Sequence, residues 1–120
     1  MGLFRNIFGG AKKLANIDLS LIKTDMHSHL IPGIDDGSKS MEESLMLLRK
    51  FSELGYKKVI TTPHVMSDFY KNTPEIILEG LEKVRDAIKE EGIPIEIDAA
   101  AEYYLDFKFD ELILKKELMT

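Results

Sequence analysis

Short apolar, β-branched segments alternate with amphipathic helical segments along this 120-residue chain. The spacing of apolar and turn-forming residues predicts strands near residues 22–26, 58–61 and 93–99, and helices near 40–54, 73–90 and 105–118. This alternation favours an α/β fold of parallel strands joined by right-handed crossovers. Three such units build an open three-layer sheet or part of a barrel, and a full eight-unit barrel takes roughly 200 residues or more. We therefore expect the first half of a larger architecture.

Capping residues predict where the first two helices begin and end. Ser40 opens a capping-box pattern, Ser-Met-Glu-Glu, and Gly55 is a typical C-terminal stop. Thr73 and Pro74 provide the second helix with an N-cap and a proline in its first turn, and Gly92 ends it. These signals support helices over both segments.

The chain divides into an N-terminal arm, residues 1–20, and a domain, residues 21–120, that we interpret as the N-terminal part of a barrel. The arm is apolar with basic residues at Lys12 and Lys13, and it is too short for a secretory signal. We expect it to pack on the domain or on a partner subunit. Because no apolar run approaches the ~20 residues of a membrane span, we expect no stable membrane insertion.

The composition excludes several classes of function. A formal net charge of -5 repels the nucleic-acid backbone, so nucleic acid is not an expected partner. The absence of cysteine excludes disulfides, thiolate metal sites and cysteine nucleophiles. It also fits a reducing compartment, and we expect a cytoplasmic protein.

All three histidines stand where a predicted strand gives way to a loop. His27 and His29 form an H-x-H pair, which on a strand would point both imidazoles to one face. His64 closes the second strand, and Glu102 follows the third. Parallel α/β proteins keep their chemistry at this edge, and imidazole is the commonest side-chain metal ligand, so the pattern predicts a metal site. Asp35 and Asp36 lie in the intervening turn and are typical turn residues.

Three sequence blocks resemble a known superfamily. The pattern D-x-H-x-H-x-x-P-G-I-D-D-G-S-K-S-M-E-E-S-L at 25–45 is followed by T-T-P-H at 61–64 and A-E-Y-Y at 101–104. Together they resemble the PHP (polymerase and histidinol phosphatase) superfamily. Within it they are similar to the bacterial metal-dependent protein-tyrosine phosphatases of capsular and exopolysaccharide synthesis, over roughly residues 22–118.

The resemblance implies a distorted (β/α)7 barrel with a cluster of divalent ions, most simply Mn²⁺, with Fe, Zn, Mg or Co as alternatives. His27 and His29 would hold the first ion, Glu102 would bridge the first and second, and His64 would hold a third. Asp36, in preference to Asp35, would complete that third site. A metal-bound hydroxide would then attack the phosphorus of phosphotyrosine. The implied substrate is a phosphotyrosine protein, a polysaccharide-export tyrosine kinase.

The resemblance also implies metal ligands that this chain does not contain. Members of that family are longer, and their second half supplies a glutamate, a histidine and an Asp-x-His pair, whereas no histidine follows His64 here. We therefore expect a part of a longer protein, or ligands supplied by another chain in a homo-oligomer, and the activity of these 120 residues alone stays open. Two alternatives also stay open, a histidinol-phosphatase-like phosphomonoesterase and a non-catalytic partner-binding protein.

Overall fold

The computed structural model describes residues 18–120, which form successive βα units; residues 1–17 of the predicted arm lie outside the described residues. A short 3-10 turn, Leu19–Leu21, precedes the first strand. The strands are β1 Thr24–Asp25, β2 Lys58–Thr61, β3 His64–Val65, β4 Glu96–Ala99 and β5 Glu102–Tyr103. The helices are α1 Met41–Glu53, α2 Pro74–Glu90 and α3 Phe107–Lys115. No helix in this range is long and apolar enough to cross a membrane.

The main sheet contains three parallel strands in the order β1-β2-β4. Asp25 pairs with Val59 and Val59 pairs with Ile97, so the predicted α/β class with parallel strands is confirmed. Because the strand order follows the chain order, right-handed crossovers place α1 and α2 on the same face of the sheet. The two helices contact each other there.

The core lies between this face of the sheet and the two helices. Val59 on β2 is fully buried, together with Leu48 on α1 and with Leu81 and Val84 on α2. Residues of β2 alternate between buried and half-buried positions, as expected for a strand with one face under helices. Helix α3 buries none of its residues. The sheet and helices α1 and α2 therefore form the packed core from which the loops at the strand ends extend.

The predicted ends of the first two helices are confirmed. Ser40 is the N-cap of α1, and its side chain accepts a hydrogen bond from the backbone N–H of Glu43. Thr73 caps α2 in the same way, with Pro74 in the first turn. Gly55 adopts a φ of +97° immediately after α1, a conformation that other residues rarely adopt.

Three other elements are shorter than predicted. Strand β1 has only two residues, because Lys23 takes a left-handed φ of 62° that interrupts the extended chain. Strand β4 begins after Pro94, which has no N–H to donate to a ladder. Helix α3 begins at its N-cap Asp106 and ends where Lys116 becomes left-handed.

A second, two-stranded parallel sheet, β3-β5, was not predicted. His64 pairs with Glu102 and Val65 with Tyr103. Strands of two residues carry no periodic signal, so residues 63–72 read as a simple loop in the sequence. The small sheet brings the side chains of His64 and Glu102 together.

Candidate metal centre

The carboxyl ends of the parallel strands carry the three histidines and Glu102. His27 and His29 follow β1, so the H-x-H pair lies beyond the carboxyl end of the strand, where the sequence predicted a change from strand to loop. His64 and Glu102 occupy the same register position on β3 and β5, and the backbone N–H of Glu102 donates to Pro63 O at 2.9 Å. Register partners on parallel strands point to the same face, so these side chains meet.

The imidazole nitrogens converge on a single carboxylate oxygen, Glu102 Oε2. The distances to it are 3.1 Å from His29 Nε2, 3.4 Å from His64 Nδ1 and 3.6 Å from His27 Nε2. This oxygen is buried and accepts no hydrogen bond within residues 18–120. A buried carboxylate oxygen without a hydrogen-bond partner is costly unless a cation satisfies it.

The arrangement fits a divalent cation. Atoms that each lie about 2.1 Å from a common ion are separated by roughly 3.0–3.4 Å in octahedral or tetrahedral geometry, close to the separations around Glu102 Oε2. Ligand atoms of His27, His29 and Glu102 lie within 4.8 Å of one another. Imidazole and carboxylate donors together suit Mn, Fe, Zn and related ions.

A second group of donors includes Asp36. Its carboxylate Oδ1 lies 3.2 Å from His64 Nε2, and His29, Asp36 and His64 also offer ligand atoms within 4.8 Å of one another. The structure therefore brings together every residue that the sequence analysis placed at the metal site. His29 belongs to both groups. Because its Nδ1 is hydrogen-bonded to Asp35, only its Nε2 is available, and this atom can bind only one ion.

The buried carboxylate of Asp35 engages that second nitrogen. Asp35 Oδ2 accepts from His29 Nδ1 at 2.8 Å and from the His64 N–H at 3.1 Å, while Oδ1 accepts from the Gly37 N–H at 2.9 Å. Burial by itself raises the pKa of Asp35, but the hydrogen bonds from Gly37, His29 and His64 outweigh it and lower the pKa below its ordinary value. The ionised carboxylate keeps the proton of His29 on Nδ1 and leaves Nε2 directed at Glu102.

Two adjacent threonines hold the histidine segment in place. Thr61 Oγ1 donates to Ser28 O at 3.0 Å and accepts from the Leu30 N–H at 2.9 Å. The hydroxyl of Thr62 lies 3.0 Å from His27 Nδ1. The two hydroxyls at the end of β2 therefore hold the backbone on either side of His29 and contact the ring of His27.

The turn that carries the two aspartates packs directly on His29. Ser38 N–H donates to His29 O at 3.0 Å, and a Cβ atom on Gly37 would lie 2.3 Å from both His29 Cβ and His29 O. Only glycine leaves room for this approach.

Asn72 and Tyr70 also support the centre, although no role for Asn72 was predicted from the sequence. The Asn72 amide donates to His64 O at 2.8 Å and to Ile34 O at 3.0 Å, which ties the two loops together. The Tyr70 ring stacks on the His64 ring at 5.5 Å with an interplanar angle of 14°. Nothing local in the sequence marks Asn72 as a bridge between loops.

Comparison with known families identifies the family of this chain. A family model described as capsular polysaccharide synthesis, CpsB/CapC, matches residues 23–120. The chain belongs to the CpsB/CapC family. The predicted resemblance to the tyrosine phosphatases of capsule synthesis is thereby confirmed.

Relatives in this family are named as phosphatases. The chain is 34% identical over 96 residues to the tyrosine-protein phosphatase CpsB of Streptococcus pneumoniae, and 26% identical over 96 residues to YwqE of Bacillus subtilis (strain 168). It covers 40% and 38% of these two proteins, while the aligned part is 80% of this chain. The chain thus spans about two fifths of the length of the curated relatives it matches.

A solved structure of the same group shares the fold. One chain from the crystal structures of YwqE from Bacillus subtilis and CpsB from Streptococcus pneumoniae superposes with a TM-score of 0.73 at 26% identity. The match covers 81% of this chain and 39% of the solved one. Those two proteins are described as unique metal-dependent tyrosine phosphatases.

Proposed function

We propose that this chain supplies part of the divalent-metal centre of a protein-tyrosine phosphatase in capsular polysaccharide synthesis. The observation that carries the proposal is the convergence of three imidazole nitrogens on the buried, unpartnered Glu102 Oε2. The CpsB/CapC family match and the relatives named tyrosine-protein phosphatase support it. The proposed substrate is phosphotyrosine on a polysaccharide-export kinase, and the proposed compartment is the cytoplasm, consistent with a chain free of cysteine.

The proposal extends to the architecture. Residues 21–120 would form the first half of a distorted (β/α)7 barrel, with further strands beside β1 and β4. The chain-order sheet with both helices on one face supports this interpretation, as does the coverage of 39% of a solved relative at a TM-score of 0.73.

The ligand atoms form two groups, each of which would hold an ion. His27, His29 and Glu102 would hold one ion, and His64 with Asp36 would hold another, while Glu102 Oε2 lies 3.4 Å from His64 Nδ1. When bound, divalent ions such as Mn²⁺ lower the pKa of water and offset the negative charge on phosphoryl oxygens, which is the chemistry that phosphate-ester hydrolysis needs.

The chain's own residues orient the ligands of this centre. Asp35 fixes the protonated nitrogen and the orientation of His29, and the Thr62 hydroxyl orients His27. Asp36 is exposed beside His64, whereas Asp35 is buried against His29. The two neighbouring carboxylates would therefore have different roles: Asp36 would bind the ion, and Asp35 orients the ligand His29.

The first test is Mn²⁺ binding by calorimetry to the unaltered chain and to Glu102→Gln. Replacing the carboxylate by an isosteric amide removes a negative charge from the centre, and we expect the Mn²⁺ affinity to fall at least tenfold. Glu111→Gln is the matched control, because Glu111 is an exposed glutamate on α3. Equal affinities for all three proteins, or no binding by the unaltered chain, would contradict the proposed centre.

The second test is hydrolysis with Mn²⁺ of three substrates, a phosphotyrosine peptide, a phosphoserine peptide and histidinol phosphate. We expect the phosphotyrosine peptide to be hydrolysed fastest and chelation to abolish the reaction. Preference for histidinol phosphate would instead favour a small-molecule phosphatase. Firm Mn²⁺ binding without hydrolysis of any of the three would contradict the phosphatase assignment for this chain.

A further inference from the structure

The loop between β3 and α2 has a defined shape beside the candidate metal centre. Met66 N–H donates to Tyr70 O at 2.9 Å, which closes residues 66–70 into a compact turn. Ser67 N–H donates to Asp106 Oδ2 at 3.0 Å, and Asn72 ties the far end of the loop to His64 O. Hydrogen bonds at both ends hold the aromatic pair Phe69 and Tyr70 in place.

Tyr70 forms one side of the centre. Its ring lies 5.5 Å from the His64 ring and is nearly parallel to it, and within residues 18–120 it is the only non-histidine ring found stacked on a candidate ligand. Tyr70 is half-buried, so part of the ring faces solvent at the edge of the centre. Aromatic rings attract one another at centroid separations of about 4.5–7 Å.

Phe69, next to Tyr70, is 80% exposed. A role for Tyr70 as a support for His64 would explain the stacking but not an exposed phenylalanine at the neighbouring position. Both features are explained if the loop receives an apolar, planar group from solution.

We propose that Phe69 and Tyr70 form an aromatic wall that selects phosphate esters of aromatic alcohols over those of alkyl alcohols. The inference rests on the proposed function, since it names the residues that would recognise the tyrosine ring. Histidine and carboxylate ligands act on the phosphoryl end, which is identical in phosphotyrosine and phosphoserine. Discrimination between the two esters therefore needs a contact with the ring, and Tyr70 of the wall stacks on the ligand His64.

The test compares two non-hydrolysable probes, phenylphosphonate and methylphosphonate, titrated calorimetrically into the chain with saturating Mn²⁺. We expect Phe69→Leu and Tyr70→Leu each to weaken the binding of phenylphosphonate about three- to tenfold more than the binding of methylphosphonate, which corresponds to the free energy of one aromatic pair. Tyr70→Phe keeps the ring and should keep the selectivity. The matched control is Phe107→Leu, an exposed phenylalanine on α3 (73% exposed) outside the loop.

The outcomes separate this inference from the proposed function. If Tyr70→Leu weakens both phosphonates equally and Phe69→Leu weakens neither, Tyr70 only supports His64 and the aromatic wall is refuted. Unchanged selectivity in both leucine variants refutes it as well. If the unaltered chain binds Mn²⁺ but neither phosphonate, the proposal that this metal centre binds phosphoryl groups is refuted, and the inference about the aromatic wall is refuted with it.

Discussion

The adjacent carboxylates Asp35 and Asp36 allow a sharp test of the candidate centre, because the same substitution should lower the stability of the fold at Asp35 but not at Asp36. In Asp35→Asn the amide keeps one acceptor oxygen. If that oxygen faces His29 and the His64 N–H, two of the three hydrogen bonds are kept, and the amide NH₂ group faces the Gly37 N–H, which then has no acceptor. If the amide is flipped, two hydrogen bonds are lost. We therefore expect the orientation in which the oxygen faces His29.

The expected loss follows from these bonds. One buried N–H without an acceptor costs about 1–3 kcal/mol, and the bonds that remain are weakened because the acceptor is no longer charged. We therefore expect Asp35→Asn to lower the free energy of unfolding by about 2–3 kcal/mol. Since Asp35 orients a ligand and does not bind the ion, Mn²⁺ affinity should fall about 10- to 100-fold.

Asp36→Asn is the control. The side chain of Asp36 is 62% exposed and its carboxylate lies only beside His64 Nε2, so stability should stay within about 0.5 kcal/mol while Mn²⁺ affinity falls. Urea denaturation in the presence of a chelator measures stability, and calorimetric titration with Mn²⁺ measures affinity. Equal losses of stability in the two variants, or none in Asp35→Asn, would refute the assignment of separate roles.

Three further perturbations test the frame around the centre. Leu48→Ala removes a fully buried side chain from the core and should lower the free energy of unfolding by about 2–5 kcal/mol in urea denaturation. Gly37→Ala would put a methyl group 2.3 Å from His29 atoms, so a thermal scan should show a lower Tm and a titration should show weaker Mn²⁺ binding; unchanged values would contradict the close packing. The hydrogen bond from Lys58 holds the pKa of Asp98 below its ordinary value of 3.8, so its stabilising effect is present above about pH 4 and is lost as pH falls through the lower folded-state pKa. Because Asp98 is half-exposed, Asp98→Asn should flatten the acid limb of a stability–pH curve by no more than about 1 kcal/mol.

Local structure was predictable where neighbouring residues alone decide it. The capping hydroxyls Ser40 and Thr73 and the glycine after α1 mark helix ends because each acts on backbone groups within one turn. Alternating strand and helix patterns likewise gave the correct class, and the family resemblance held. The two-residue strands β3 and β5 escaped prediction, because their pairing depends on partners 38 positions away in the chain.

The sequence by itself determined which side chains are available for chemistry and roughly where each strand delivers them: three imidazoles and a glutamate, all at strand ends. The different roles of Asp35 and Asp36 were decided by the tertiary structure. Neighbouring aspartates look alike in a turn, but the fold buries Asp35 against His29 and leaves Asp36 exposed beside His64. The physical reason is that strand register and burial arise when distant segments of the chain pack together, whereas local sequence preferences extend over only a few residues. Register and burial determine that the Asp35 carboxylate contacts His29 and that the Asp36 carboxylate contacts His64.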